Sequence, residues 1–209
     1  MDILLLATMI FNLFLIIDPV GCLPLFITIT KSNTPAQRRK MILKATIIAF
    51  FVLSFFAIVG KPLLDYFGIG IPAMKIAGGI LLFIIGIEML YGRVSRTETT
   101  EKEEKEAIRK QDVSVTPLAI PLLAGPGAIT AVMLFTGSAV GFSGVMLVIL
   151  AIFLVLAIAY ILLRLSGVIL KYSGQLGVTV AARVMGLLLV FMASQLVVDG
   201  LGLLGIVKL

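Results

Sequence analysis

A chain of 209 residues that is 60% hydrophobic and 13% charged, with mean hydropathy +1.19, carries more apolar surface than a soluble core of that size can hide. Its net charge of +6 comes without Trp and without a basic patch interleaved with aromatics, so no nucleic-acid partner is expected. The absence of His, the single Cys22 and the lack of a G-x-S-x-G, P-loop or H-E-x-x-H stretch leave no catalytic residue, metal ligand or cofactor to assign, and an enzyme is not expected.

Crossing about 30 Å of hydrocarbon takes roughly 20 residues at helical rise. Apolar runs of that order fall at 3–30, 42–60, 71–91, 116–137, 142–165 and 182–207. The first is preceded by Asp2 rather than Lys or Arg, and no small-x-small cleavage pattern follows, so it is expected to be retained rather than removed as a signal peptide.

That first run is interrupted at Asp18-Pro19-Val20-Gly21. Pro19 lacks an N–H and disfavours helical geometry at Asp18, Gly21 permits a turn, and Pro24 can open a new half-helix. Lipid has no water to satisfy freed backbone groups, so such a break is expected only where protein or an aqueous cavity surrounds it. Asp18 is the one Asp, Glu, Lys or Arg between Asp2 and Lys31. A carboxylate at membrane depth costs at least ~2.5–3.5 kcal/mol, so it should face the interior as a proton or cation carrier or as a ligand for a substrate ammonium. It could equally cap the half-helix that follows. Six residues earlier, Asn12 offers an amide worth about 0.6 kcal/mol in a hydrogen bond between helices.

Further along, Lys31, Arg38, Arg39, Lys40 and Lys44 form a basic first connection. In the 71–91 run, Gly78-Gly79 and Gly86 make a small-residue face suited to close packing, and Glu88 is near enough to the end to reach the interface. The polar connection 93–115 mixes signs, and as a solvated helix it could use Glu101–Lys105 and Glu106–Lys110 pairs worth about 0.2–0.5 kcal/mol each.

The second break lies in the run Thr116-Pro117-Leu118-Ala119-Ile120-Pro121-Leu122-Leu123-Ala124-Gly125-Pro126-Gly127-Ala128-Ile129-Thr130. Its density of Pro and Gly would wreck a lipid-facing helix, since each interior Pro costs about 3 kcal/mol. The expectation is that half-helix amides at Gly127–Thr130 point partial positive charge at an anionic group, with the Thr116 and Thr130 hydroxyls beside them. A packing kink satisfied by neighbouring helices is the plainer alternative. In the last run, Ser194 and Gln195 read as helix–helix contacts.

Lys and Arg gather in the odd-numbered connections, which places those in the cytoplasm and both termini outside. An offset of 107 residues aligns Pro19 with Pro126, Gly60 with Gly167, Gly70 with Gly177 and Gly79 with Gly186. The fold expected is therefore an all-α membrane protein of six transmembrane helices, arranged as two inverted three-helix repeats with helices 1 and 4 interrupted. The chain is a single transmembrane domain, 1–209, with repeat one at about 1–92, the charged connection at about 93–115 and repeat two at about 116–209.

The stretches DPVGCLPLF, QRRK and PLAIPLLAGPGAIT resemble those of the MarC family of integral membrane proteins, over the whole chain. That family includes the SnatA transporters of small neutral amino acids such as glycine and alanine. The resemblance implies secondary transport, export or exchange, in a prokaryotic plasma membrane. Its motif residues fall on Asp18, Pro19, Gly21, Pro24, Pro121, Gly125, Pro126, Gly127 and Thr130. The expected substrate site is Asn12, Asp18, Pro19, Gly21, Gly125, Gly127 and Thr130, with Asp18 coupling to a proton or Na+. Expected partners are the neutral amino acid, the coupling ion and the lipid bilayer, and a homo-oligomer is compatible with the sequence. A passive channel for small polar solutes and a non-transport membrane subunit are the alternatives.

Overall fold

The computed structural model describes residues 3–31, 33–92, 114–138 and 141–207, and these form helices without any strand. Helix α1 (Ile3–Ile17) meets α2 (Cys22–Ile29) at a bend of 49°. Helices α3 (Pro35–Tyr66) and α4 (Ile71–Leu90) follow. The wide-turned α5 (Ser114–Leu123) meets α6 (Pro126–Ser138) at 52°, and α7 (Gly141–Arg164) and α8 (Ser166–Leu203) complete the chain. Among the described residues α3, α4, α7 and α8 are each long and apolar enough to cross a membrane, and the number rises to six if each bent pair is one span. The charged pairs expected within 93–115 fall on residues 93–113, outside the described residues.

Helix ends follow local chemistry rather than hydropathy. The Thr34 hydroxyl accepts from the Gln37 amide at 3.3 Å, the Gln37 side chain accepts from the Thr34 amide at 2.8 Å, and Pro35 opens the helix. This capping box starts α3 well ahead of residue 42, so Arg38, Arg39, Lys40 and Lys44 lie within the helix rather than in a loop. Likewise α8 begins at Ser166, where the sequence reading had a connection up to 182. Lys171, Tyr172 and Gln175 lower the hydropathy of that stretch without opposing helix, and two helical pieces meet there across a kink at Gly174, with φ 64° and ψ 172°.

The principal packing axis is α4 along α8. A Cβ on Gly79 would lie 2.7 Å from Val197 Cγ2 and 2.8 Å from the Ala193 carbonyl oxygen, whereas one on Gly186 would lie 2.7 Å from Met89 Cβ and 3.0 Å from the Gly86 carbonyl oxygen. One on Gly200 would lie 3.0 Å from the Pro72 carbonyl oxygen. Partners descend along α8 as they ascend along α4, so the two helices run antiparallel with backbones in close approach. Across the bundle, α3 packs on α7, α5 and α6 through an Ala45, Ala49, Leu53, Ala57 stripe. The face of α7 with Val148, Ala151, Ile152, Val155, Leu156 and Ala159 is buried. The outer surface is apolar too: Phe51 is 66% exposed, Phe142 78% and Phe191 62%, a rim that suits lipid rather than water.

Several hydroxyls turn back on their own helices. Thr28, Thr30, Thr46, Thr179 and Ser194 each donate to the carbonyl four residues earlier, at 2.7–2.9 Å. This satisfies them without an external partner, as an apolar surrounding requires.

Candidate functional site

The first break is built around Asp18. Its amide still donates to Phe14 O at 3.0 Å, closing α1, while its carbonyl accepts from the Cys22 amide at 3.1 Å and its carboxylate Oδ1 from the Gly21 amide at 3.0 Å. The last two bonds close the turn that leads into α2, whose own N-cap residue, Gly21, has no side-chain cap bond, so the carboxylate braces the turn rather than capping the helix. Asp18 has φ 41°, a left-handed backbone that Asp and Asn tolerate better than other side chains. A Cβ at Gly21 would collide with Asp18 Oδ2, so the turn needs glycine there for space. The buried Pro19 ends α1.

Half-buried Asp18 lines a cavity of about 280 Å³ with Gly21, Cys22 and Pro24 from the same break. Leu122 enters from the second break, Ile85 and Met89 from α4, and Gln175 and Thr179 from α8. That volume falls just below the ~300–1,000 Å³ of pockets for drug-sized ligands, which leaves room for something smaller. The sequence reading had not singled out Gln175 or Thr179, which lie in the stretch it took for a connection.

The second break touches the first. A Cβ on buried Gly127 would lie 2.9 Å from Ile85 Cδ1, 3.2 Å from Leu82 Cδ2 and 3.5 Å from Ile16 Cγ2, so the start of α6 sits against the turn of chain just before Asp18. Gly125 is buried beside it, and its carbonyl accepts from the Ile129 amide at 3.0 Å. The Thr130 hydroxyl donates to Pro126 O at 2.8 Å, and its methyl faces Gly78. Thr116 and Ile120 are extended, and the Ile120–Pro121 peptide is cis. Of the expected site residues, Asp18 and Gly21 line the first cavity, whereas Gly127 lies in an apolar contact beside it.

Asn12 faces elsewhere. It lines a second cavity of about 190 Å³, with Ile16, Lys75, Leu82, Ala131 and Leu134 among its walls. Lys75 Nζ stands 3.4 Å from Asp199 Oδ2, and Gln195 Nε2 donates to Asp199 Oδ1 at 2.7 Å. Neither Lys75 nor Asp199 is among the site residues expected from the sequence. The signal was there in part, since Gln195 and Asp199 are one helical turn apart and Lys75 is the one charge in the first turns of its run.

An all-helical bundle with an acidic side chain at a helix break, a cavity beside it and a lipid-suited exterior is a multi-pass integral membrane protein. The chain belongs to the MarC family: the family profile, described as MarC family integral membrane protein, matches residues 3–204. It is similar to a UPF0056 membrane protein of Archaeoglobus fulgidus, 41% identical over 91% of this chain and 89% of that one. It is also similar to the UPF0056 membrane proteins YvbG of Bacillus subtilis, 35% identical over 91% and 90%, and YhcE of Escherichia coli, 33% identical over 91% and 88%. No solved structure matches significantly.

Proposed function

We propose that the chain is a secondary transporter of small neutral amino acids such as glycine and alanine, an exporter or exchanger working by alternating access. It would act in a prokaryotic plasma membrane with both termini outside, as the distribution of Lys and Arg favours. The observation that carries the reading is the Asp18 cavity, small, partly polar and walled by both halves of the sequence. Membership of the MarC family supports it through the resemblance to neutral amino acid transporters within that family.

An inverted repeat is supported by the α4–α8 crossing. Moving by the 107-residue offset turns the approach of Gly79 to Ala193 into the approach of Gly186 to Gly86. A contact that maps onto itself between antiparallel helices is what a pseudo-twofold axis in the membrane plane produces. In this mechanism the ammonium of the solute replaces the Gly21 amide at the Asp18 carboxylate, with Pro19 fixing the turn. A proton or Na+ occupies the same carboxylate on the return step. Gly125, Gly127 and Thr130 form the surface against which the site closes, and Asn12 meets the solute on the far side.

Reconstitution into proteoliposomes tests this. Labelled glycine or alanine should enter saturably and should accumulate transiently against an excess of unlabelled internal solute. Flux without counterflow would favour a passive channel, and no saturable flux of any neutral amino acid would remove the proposed function.

A further inference from the structure

The two cavities lie at opposite ends of the α4–α8 pair. On α4 the first takes Ile85 and Met89 and the second Lys75 and Leu82; on antiparallel α8 the first takes Gln175, Val178, Thr179 and Ala182, and the second Met192 and Leu196. Lys75 and Met89 are separated by about 21 Å at helical rise. Ile16 lines both cavities, and between them Ile16, Leu82 and Ile85 converge on Gly127.

Their walls also correspond. Under the 107-residue offset Ile85 maps to Met192, Met89 to Leu196, Pro24 to Ala131 and Ala182 to Lys75, each pair with one member in the first cavity and one in the second. Three of these pairs are apolar on both sides, and the fourth differs in charge: the second cavity carries Lys75 where the first has Ala182, while Gly92 of the first has as its counterpart Asp199, the partner of Lys75. Asp18 has Gly125 as its counterpart, Gln175 has Gly68, and Asn12 of the second cavity has Ala119. One mouth is therefore acidic at its floor and the other basic at its wall.

We propose that the second cavity is the opposite mouth of the solute path, separated from the Asp18 cavity by the Ile16, Leu82 and Ile85 septum over Gly127, and that Lys75 there receives the carboxylate of the solute. This rests on the transport reading and on the inverted repeat. Asp199 holds the Lys75 ammonium at 3.4 Å until a carboxylate replaces it, and Gln195 keeps Asp199 in position from one turn away. The long separation and the partial exposure of both side chains, 22% and 34%, make that pair easy to exchange. A solute with both charges then meets opposite signs at the two mouths.

Accessibility measurements decide this without needing flux. Native Cys22 lines the first cavity, and Ala131→Cys in a Cys22→Ser background places a thiol in the second. In the full chain in sealed vesicles of both orientations, a membrane-impermeant thiol reagent should modify Cys22 from one face and the Ala131→Cys thiol from the other. Ser138→Cys, on the rim of the second cavity, is the positive control for reagent reaching that face. Glycine or acetate in excess should slow modification of Ala131→Cys at least fivefold, and Lys75→Gln should abolish that protection. Modification of both thiols from one face, or of Ser138→Cys while Ala131→Cys stays inert, overturns the second mouth. Undiminished protection in Lys75→Gln, or none in the parent, overturns the Lys75 assignment. Opposed labelling with protection but no amino acid flux would support this inference and defeat the transport reading alone.

Discussion

The Asp18 carboxylate occupies a turn whose backbone most side chains avoid, with φ 41°, a conformation that costs on the order of 1–3 kcal/mol. Its bond from the Gly21 amide offsets part of that cost, since an intramolecular hydrogen bond contributes about 0.5–1.5 kcal/mol. Asp18→Asn keeps an acceptor for Gly21 and tolerates the same backbone, so it removes the charge and little else. Uptake should fall about tenfold or more, equivalent to about 1.4 kcal/mol, while thermal unfolding in detergent should move by less than about 0.5 kcal/mol. Full uptake in that variant would show that the negative charge has no part in transport. Gly21→Ala asks a different question, because its methyl would strike the Asp18 carboxylate and force it off the amide. A loss of about 1–3 kcal/mol in stability is expected, and an unchanged unfolding midpoint would mean the carboxylate is not held against that glycine.

At the scale of helices, the crossing of α4 on α8 depends on the absence of side chains. A Cβ on Gly86 would approach Val190 Cγ2 at 2.8 Å and the Gly186 carbonyl at 3.0 Å, and the carbonyl cannot rotate out of the way as a side chain could. Gly86→Val should therefore destabilise by about 1–3 kcal/mol. Gly167→Ala, in α8 with nothing within 4 Å, should be neutral or stabilise by up to about 1 kcal/mol. Unfolding midpoints of the two variants, measured side by side, separate packing from propensity. Equal midpoints would mean the α4–α8 approach is looser than described. Gly78-Gly79 and Gly86 were legible as a packing face because small residues at helical spacing serve few other ends in a membrane. The true start of α3 was not legible from hydropathy, although Thr34 and Gln37 spelled it out in capping chemistry. The early start of α8 was hidden for the opposite reason: its first turns are polar and helical at once, and an apolar window passes over such a stretch.

For the molecule as a whole, the two breaks could be found in the sequence because Pro and Gly act on their own backbone, whatever surrounds them. Lys75 with Asp199 could not be found, since that pair joins residues 124 apart and exists only through the antiparallel crossing. Under the proposed transport the same crossing sets the mechanical question, which is how a solute would pass from one cavity to the other when Ile16, Leu82 and Ile85 meet over Gly127. The Ile85 and Leu82 atoms there are the ends of flexible side chains whereas Ile16 presents its stiffer Cγ2 methyl, so the septum can part by rotation of Ile85 and Leu82, but only while position 127 leaves them room to slide. A β-branched residue there is stiff at χ1 and occupies that room in both directions of travel. Gly127→Val is thus expected to leave solute affinity at the Asp18 cavity within about threefold, or about 0.65 kcal/mol, and to cut turnover by about tenfold. Equilibrium binding of labelled glycine to purified protein, set beside initial uptake rates in proteoliposomes, separates the two quantities. If Gly127→Val turns over as fast as the parent, the path does not run through this septum. If binding and turnover fall together, Gly127 belongs to the binding surface itself, and the boundary between the two cavities must lie elsewhere along α4.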